Sequence, residues 1–251
     1  MLLAVDVGNT NIVIGLYQET KLINSWRIKT DERATADELN LTFNSILREQ
    51  PKITGISLCS TVPAVLTELR TMFAKGYPEV KIVIIEPGIK TGVPVLIDNP
   101  KEVGADRIAN SLAVFSRHGG PSVVVDFGTS TNFDVVSDKG EFLGGALAPG
   151  IEISLDALAS RAAQLRKVEF AKPRSVIGKG TVEALQSGAL YGFSGQVDGI
   201  VKRIIKEIGP LTAVVATGGL AGLVVETSET ITHHEPDLTL EGLRLVFEKN
   251  R

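Results

Sequence analysis

The chain has 251 residues, of which 43% are hydrophobic and 22% charged, with a net charge of −3. That length holds one large domain or two small ones, each able to bury a core. The balance is that of an ordinary globular protein, and the lack of a basic excess argues against a nucleic-acid partner. No apolar stretch approaches the ~20 residues of a membrane span, so no membrane partner is expected. Only five residues precede Asp6, too few for a signal peptide. Cys59 is the sole cysteine, which excludes an intrachain disulfide and fits a reducing cytoplasm. Its apolar neighbours Ile56 and Leu58 mark it as a small core residue rather than a nucleophile. The three histidines offer no metal-ligand spacing, and His233 and His234 read as surface residues.

Leu2 to Leu16 is an apolar run, an acid, a tight turn and a second apolar run. Val5 and Val7 flank Asp6, so on a strand the carboxylate points opposite to them. Gly8 lets a ligand approach the backbone, and Asn9, Thr10 and Asn11 add side-chain donors to the turn N–H groups. An acid beside such an anion cradle calls for a divalent cation between them. Asn24–Ile28 continues as a third strand. Thr35 and Glu38 form a capping-box pattern opening a helix to about Arg48. Lys52–Ser60 reads as a strand, Pro63 opens a helix to about Lys75, and Lys81–Ile85 reads as a buried strand. This order, three strands then helix, strand, helix, strand, is that of a ribonuclease-H-like half-domain.

Asn99-Pro100 is a cap and first turn for a helix ending at Gly119-Gly120-Pro121, with Ile108, Leu112 and Phe115 as its core stripe. Asp106 falls about 160° from Ile108 on that helix, which suits a solvated acid. It also suits a general base facing a cleft, with Arg107 binding an anionic group. Glu102 and Asp106 are like charges at i, i+4.

The glycine break sets the expected boundary between residues 1–119 and 120–251. Beyond it, Ser122 to Val136 repeats the opening pattern, with Asp126, Gly128, Thr129 and Ser130 in place of Asp6, Gly8, Asn9 and Thr10. Two such strand–turn–strand units indicate an internal duplication. Gly144 to Gly150 reads as a loop, followed by a helix with Ile151, Leu155, Leu158, Ala162 and Leu165 on one face. Thr181 can cap the next helix, whose Gly188, Gly192, Gly195 and Gly199 imply close packing against another element, in this chain or a second copy. Thr212–Ala216 is a strand entering Thr217-Gly218-Gly219, where a flat ligand can lie on the backbone. The last helix, from about Thr239 to Lys249, reads as structural.

Asp6-x-Gly8-Asn9-Thr10, Asp126-x-Gly128-Thr129 and Thr217-Gly218-Gly219 together resemble the phosphate-1, phosphate-2 and adenosine motifs of the acetate and sugar kinase, heat-shock ATPase and actin superfamily. Within it the whole chain resembles the type III pantothenate kinases, whose substrate motif is matched by Gly104-Ala105-Asp106-Arg107. Glu102-Val103, Gly144-Gly145-Ala146 and Pro149-Gly150 also fit. The resemblance implies two duplicated ribonuclease-H-like domains in an actin-like ATPase fold, each a mixed five-stranded sheet flanked by helices. It implies ATP-dependent phosphorylation of pantothenate, with Mg²⁺ and a monovalent cation, K⁺ or NH₄⁺, in a cytoplasmic homodimer whose substrate pocket lies near the subunit interface.

Carried over by position, Asp6, Val7, Gly8, Asn9, Thr10, Asn11, Ile12 and Val13 form the first ATP-phosphate loop, with Asp6 holding Mg²⁺ through water. Thr129, Gly218 and Gly219 also fall to ATP, and Asp126 to the monovalent cation. Asp106 is the implied proton acceptor, with Gly104, Ala105, Arg107 and Thr181 on pantothenate. One departure is Ile97, before Asp98-Asn99-Pro100, where many members carry a tyrosine that contacts the substrate. A sugar kinase of the same superfamily and a non-catalytic nucleotide-binding regulator of the accessory-factor type are the competing readings. A metal-dependent nuclease is disfavoured by the glycine–hydroxyl turns after both acids.

Overall fold

The computed structural model describes residues 1–162 and 167–251. The chain packs as two compact units, the first formed by Met1–Val93, Asp98–Ala113 and Leu238–Arg251, the second by Pro94–Ile97 and Val114–Asp237. Each holds one five-stranded mixed sheet. No helix among the described residues is long and apolar enough to cross a membrane.

In the first unit, β1 (Leu2–Val7), β2 (Asn11–Gln18) and β3 (Lys21–Lys29) form an antiparallel meander, and β4 (Gly55–Ser60) and β5 (Lys81–Ile84) add in parallel on the other side of β1. Helices α1 (Ala36–Leu47) and α2 (Pro63–Gly76) supply the crossovers that parallel pairing requires. The Thr35 capping box forms: its side chain accepts from Glu38 N–H while the Glu38 carboxylate accepts from Thr35 N–H. Val5, Val7, Ile12, Ile14 and Leu58 face Leu39 and Phe43 of α1 and Leu69 and Phe73 of α2 in one core. Phe43 and Phe73 meet edge-on at 5.7 Å.

The segment after β5 departs from the expected single helix. Asn99 Oδ1 accepts from Lys101 N–H and caps only a 3₁₀ turn, Pro100–Glu102. Val103 then turns extended, and α3 runs Ala105–His118. Glu102 and Asp106 therefore do not share a helix, and the carboxylate of Glu102 accepts from Asn99 Nδ2 at 2.8 Å.

The second unit repeats the plan. β6 (Ser122–Phe127), β7 (Ser130–Val136) and β8 (Phe142–Pro149) form the meander, and β9 (Ala213–Thr217) and β10 (His233–His234) complete the sheet. Its core joins Val123, Val125, Phe127 and Phe133 to α4 (Ile151–Arg161), α5 (Thr181–Ile208) and α6 (Ala221–Val225). Residues 144–149, expected as a loop, belong to β8, because the β7 backbone passes so close to Gly145 that a Cβ there would overlap the Phe133 carbonyl. Helix α4 ends at Arg161, and the expected stripe residue Leu165 lies outside the described residues. His233 and His234 are exposed, as expected, yet form the edge strand.

The division also differs from 1–119 and 120–251. Helix α7 (Leu238–Asn250) packs on β1, β4 and β2, so the end of the chain belongs to the first unit, and the boundary falls within α3. The glycine break, whose Gly120–Pro121 bond is cis, follows that helix.

Candidate active site

Alternation along β1 sends Val5 and Val7 into the core and Asp6 to the other face of the sheet. Asp6 is level with Cys59 of β4 and with Val13 of β2, and Val13 is level with Arg27 of β3. These four side chains form a row on one face. Helix α7 covers that face at the opposite strand ends: Ser57 Oγ donates to the Leu243 carbonyl at 2.7 Å, and a Cβ at Gly55 would overlap the Phe247 ring. Helix α3 lies beside α7, its Ala109 backbone against Gly242. The C-terminal end of β1 is thus left for chemistry.

Burial pushes the Asp6 carboxyl up to about 7, and the nearby Asp106 adds to the rise; a hydrogen bond from Cys59 and the positive charge of Arg27 pull the other way. Cys59 Sγ donates to Asp6 Oδ1 at 3.2 Å. Burial, with Asp6 beside it, holds the thiol well above its ordinary value, so Cys59 is a donor rather than a nucleophile.

The turn after β1 is held from two sides. Gly8 N–H donates to the Asn11 carbonyl at 3.0 Å, closing it. Thr30 Oγ1 donates to the Gly8 carbonyl at 2.6 Å, and Thr30 N–H to the Thr10 carbonyl at 3.0 Å. From the other side Thr61 N–H reaches the Val7 carbonyl at 2.9 Å. Because a peptide is planar and trans, fixing the Gly8 carbonyl toward Thr30 turns the Asn9 N–H away from it. Val7 and Ile12 are buried in the core, so within the Asp6–Val13 loop they can offer a ligand only backbone.

Asp106 stands in the first turn of α3, where its Oδ1 accepts from Arg107 N–H at 2.9 Å. Burial raises its carboxyl, while the N–H and charge of Arg107 draw it down. The helix is buried on more than one side: Ala109, Asn110, Ser111, Leu112, Ala113 and Val114 are all below one-tenth exposed. The face opposite Ile108 is therefore packed, and Asp106 is close enough to Asp6 to raise its carboxyl. A Cβ at Gly104 would overlap Asp106 Oδ1, so any side chain there would displace that carboxylate.

In the second unit the equivalent row is Thr217 of β9, Asp126 of β6 and Asn132 of β7. Gly128 N–H closes its turn onto the Ser130 carbonyl at 3.0 Å, and Ser130 Oγ donates to Asn132 Oδ1 at 2.8 Å. Gly150 N–H donates to the Thr129 carbonyl at 3.1 Å. Gly218 adopts φ 91°, and a Cβ there would sit 2.6 Å from Asp126 Oδ1. Glycine at 218 is thus required twice, by its dihedral and by the acid against it. Gly219 follows, just ahead of α6. Thr181 is the exposed first residue of α5, and Gly180 holds the cap position expected for Thr181. Ile97 lies against Gly144 of β8.

The structure thus gathers Asp6, the Gly8–Asn11 turn, Gly104, Ala105, Asp106 and Arg107 in one unit, and Asp126, Thr129, Gly218, Gly219 and Thr181 in the other. Thr30, Thr61 and the Cys59 contact with Asp6 carry no distinctive signal in the sequence; strand register, which puts Cys59 level with Asp6, reveals the last of them. Among the described residues no three His, Cys, Asp or Glu gather to hold a metal. A divalent ion at Asp6 would draw its remaining ligands from phosphate oxygens and water, which suits one carboxylate beside a donor-lined turn.

A sequence profile of the family described as Type III pantothenate kinase matches residues 2–203. The chain is 65% identical over 250 residues to a Type III pantothenate kinase of Frankia alni, covering 100% of both chains. It is 62% identical over 253 residues to that of Acidothermus cellulolyticus, covering 100% of this chain and 99% of the relative. Among solved structures, the ROK hexokinase of Thermus thermophilus matches with TM-score 0.55 at 15% identity over 100% of this chain and 99% of that one. A ROK family protein of Streptococcus pneumoniae matches with TM-score 0.56 at 14% identity over 99% and 98%. These two show the shared fold, two mixed five-stranded sheets in a duplicated ribonuclease-H-like arrangement. The profile and the full-length identities show more: the chain belongs to the type III pantothenate kinase family.

Proposed function

We propose that the protein transfers the γ-phosphoryl group of ATP to the primary hydroxyl of pantothenate, the first step of coenzyme A biosynthesis. One observation carries this reading within the fold: Asp106, in the segment that resembles the family's substrate motif, stands close enough to Asp6 of the nucleotide turn to raise its carboxyl. Phosphoryl transfer asks a protein for in-line positioning and charge stabilisation more than for covalent chemistry. Asp106 accepts the hydroxyl proton, and the burial that raises its carboxyl brings it nearer the working range of a general base. Asp6 would hold Mg²⁺ through water, and the bound ion would supply charge neutralisation for the phosphoryl group in transfer. Residues Asp6 to Val13 and Thr129 cradle the phosphates, and Gly218-Gly219 takes the adenosine.

Asp126, with oxygen donors of Ser130 and Asn132 beside it, takes the monovalent cation, K⁺ or NH₄⁺. Gly104, Ala105, Arg107 and Thr181 bind pantothenate. A cytoplasmic homodimer fits the second unit. Gly188, Gly192 and Gly195 of α5 face open space, and Val176, Ile177 and Val182 are each more than half exposed, which is the surface a second copy would cover.

The test is ADP release from ATP with pantothenate, hexoses and N-acyl sugars, in K⁺ and in Na⁺. Turnover on pantothenate that needs K⁺ is expected, and Asp106→Asn should lower kcat by about 10²–10⁴-fold with the circular dichroism spectrum unchanged. Turnover on hexoses alone would make it a sugar kinase, and ATP binding without turnover a regulator.

A further inference from the structure

The nucleotide loop of the reading above, Asp6 to Val13, contains no lysine or arginine. It faces an acute charge problem. The polyphosphate of ATP stays anionic with one divalent ion bound, and it must settle beside Asp6 with Asp106 nearby. A preorganised cation on the same face would remove much of that cost.

Arg27 stands where such a cation is needed. Its neighbours on β3, Trp26 and Ile28, pack against the core, so alternation turns Arg27 to the other face, the face of Asp6. It is level with Val13, which is level with Asp6. At about 4.8 Å between strands, the Arg27 Cα lies roughly 10 Å from that of Asp6, a gap that a long side chain and a phosphate group span together. Arg27 is exposed and enters no hydrogen bond or ion pair among the described residues, so its donors are not committed to holding the fold.

The duplication supplies an internal control. In the second unit the residue at the matching place, level with Asn132, is Leu147, 67% exposed. The sheet plan therefore does not itself call for an arginine there.

We infer that Arg27 is a further substrate-contacting residue, its guanidinium pairing with phosphate oxygens of Mg-ATP at the Gly8–Asn11 turn. This rests on the kinase reading above. The test uses the full chain and four proteins: wild type, Arg27→Gln, Arg27→Lys, and Lys21→Gln as a control of equal charge change. Lys21 lies six residues back along the same strand, about 20 Å away. Mg-ATP binding is measured by calorimetry without pantothenate, and steady-state constants are measured beside it.

Arg27→Gln should weaken Mg-ATP binding about 10- to 100-fold, the worth of one charge-assisted pair, and leave the KM for pantothenate within about twofold. Arg27→Lys should fall between, since lysine pairs as a point charge without the fork. Lys21→Gln should match wild type. Arg27→Gln binding Mg-ATP as tightly as Lys21→Gln would overturn the inference. Wild type that binds Mg-ATP through Arg27 without phosphorylating pantothenate would instead overturn the substrate reading and leave Arg27 in place.

Discussion

Thr30 shows how much a single hydroxyl can fix. It is buried to 8% exposure, and its hydroxyl and N–H close on the Gly8 and Thr10 carbonyls that bracket the turn. Thr30→Val keeps the shape but removes the Oγ1 donor, leaving a carbonyl unmatched, at a cost of about 1–2 kcal/mol. The turn should then sample more conformations, so the KM for ATP rises several-fold while that for pantothenate holds. Thr30→Ser retains the donor and should restore most of the ATP affinity. Equal defects in Val and Ser variants would mean that the methyl packing, not the hydroxyl, sets the turn. Asp6, Asp126 and the glycines after them were legible because their residue types are unusual in a strand end. Thr30 and Arg27 were not, since an arginine on an edge strand and a threonine just beyond it are ordinary until register and hydrogen bonding place them.

Elements were legible where local chemistry decides them. The Thr35 capping box and Pro63 at the first turn of α2 formed as read. The misreadings fell where tertiary packing overrides local preference: Asn99 caps only a short turn, and the glycines of β8 serve a close strand rather than a loop. On α5, Asp198 is another packing decision. Its carboxylate accepts from Ser228 Oγ at 2.6 Å, Thr230 Oγ1 at 2.8 Å, and the N–H groups of Glu229 and Thr230 at 3.0 and 3.1 Å. Burial alone would raise its carboxyl, but these donors outweigh burial and hold it below the ordinary 3.8. A lowered folded value adds stability that is full above the unfolded value and lost as pH falls through the folded one. Urea midpoints of wild type should therefore drop steeply below about pH 4, and Asp198→Asn should flatten that limb while costing about 1–2 kcal/mol at pH 7. Parallel pH profiles for the two proteins would show that the staple carries no proton-linked stability.

Taken whole, the molecule is one plan used twice, with strand orders β3-β2-β1-β4-β5 and, read from the same end, β8-β7-β6-β9-β10. The repeat was visible in the sequence because the meander and its acid recur. The ownership of the last helix was not, because nothing local in Leu238–Asn250 says which sheet it covers. Leu238, Leu240, Leu243 and Val246 of α7 are at most 1% exposed. Gly15, Gly55 and Gly242 each stand where a side chain would collide with a neighbouring element, Leu240, Phe247 and the α3 backbone respectively. At about 1.5–3 kcal/mol for each buried aliphatic side chain, the four together are worth roughly 6–12 kcal/mol. A domain of this size has only about 5–15 kcal/mol of net stability. A fragment of residues 1–119, the half suggested by the glycine break, should therefore lack a cooperative thermal transition and bind a hydrophobic dye. The same fragment joined through a Gly/Ser linker to residues 238–251 should melt cooperatively, because the linked helix restores the missing face of the sheet. Should 1–119 melt cooperatively by itself, α7 would be a cover rather than a member of the first unit, and the division of the chain would return to the glycine break.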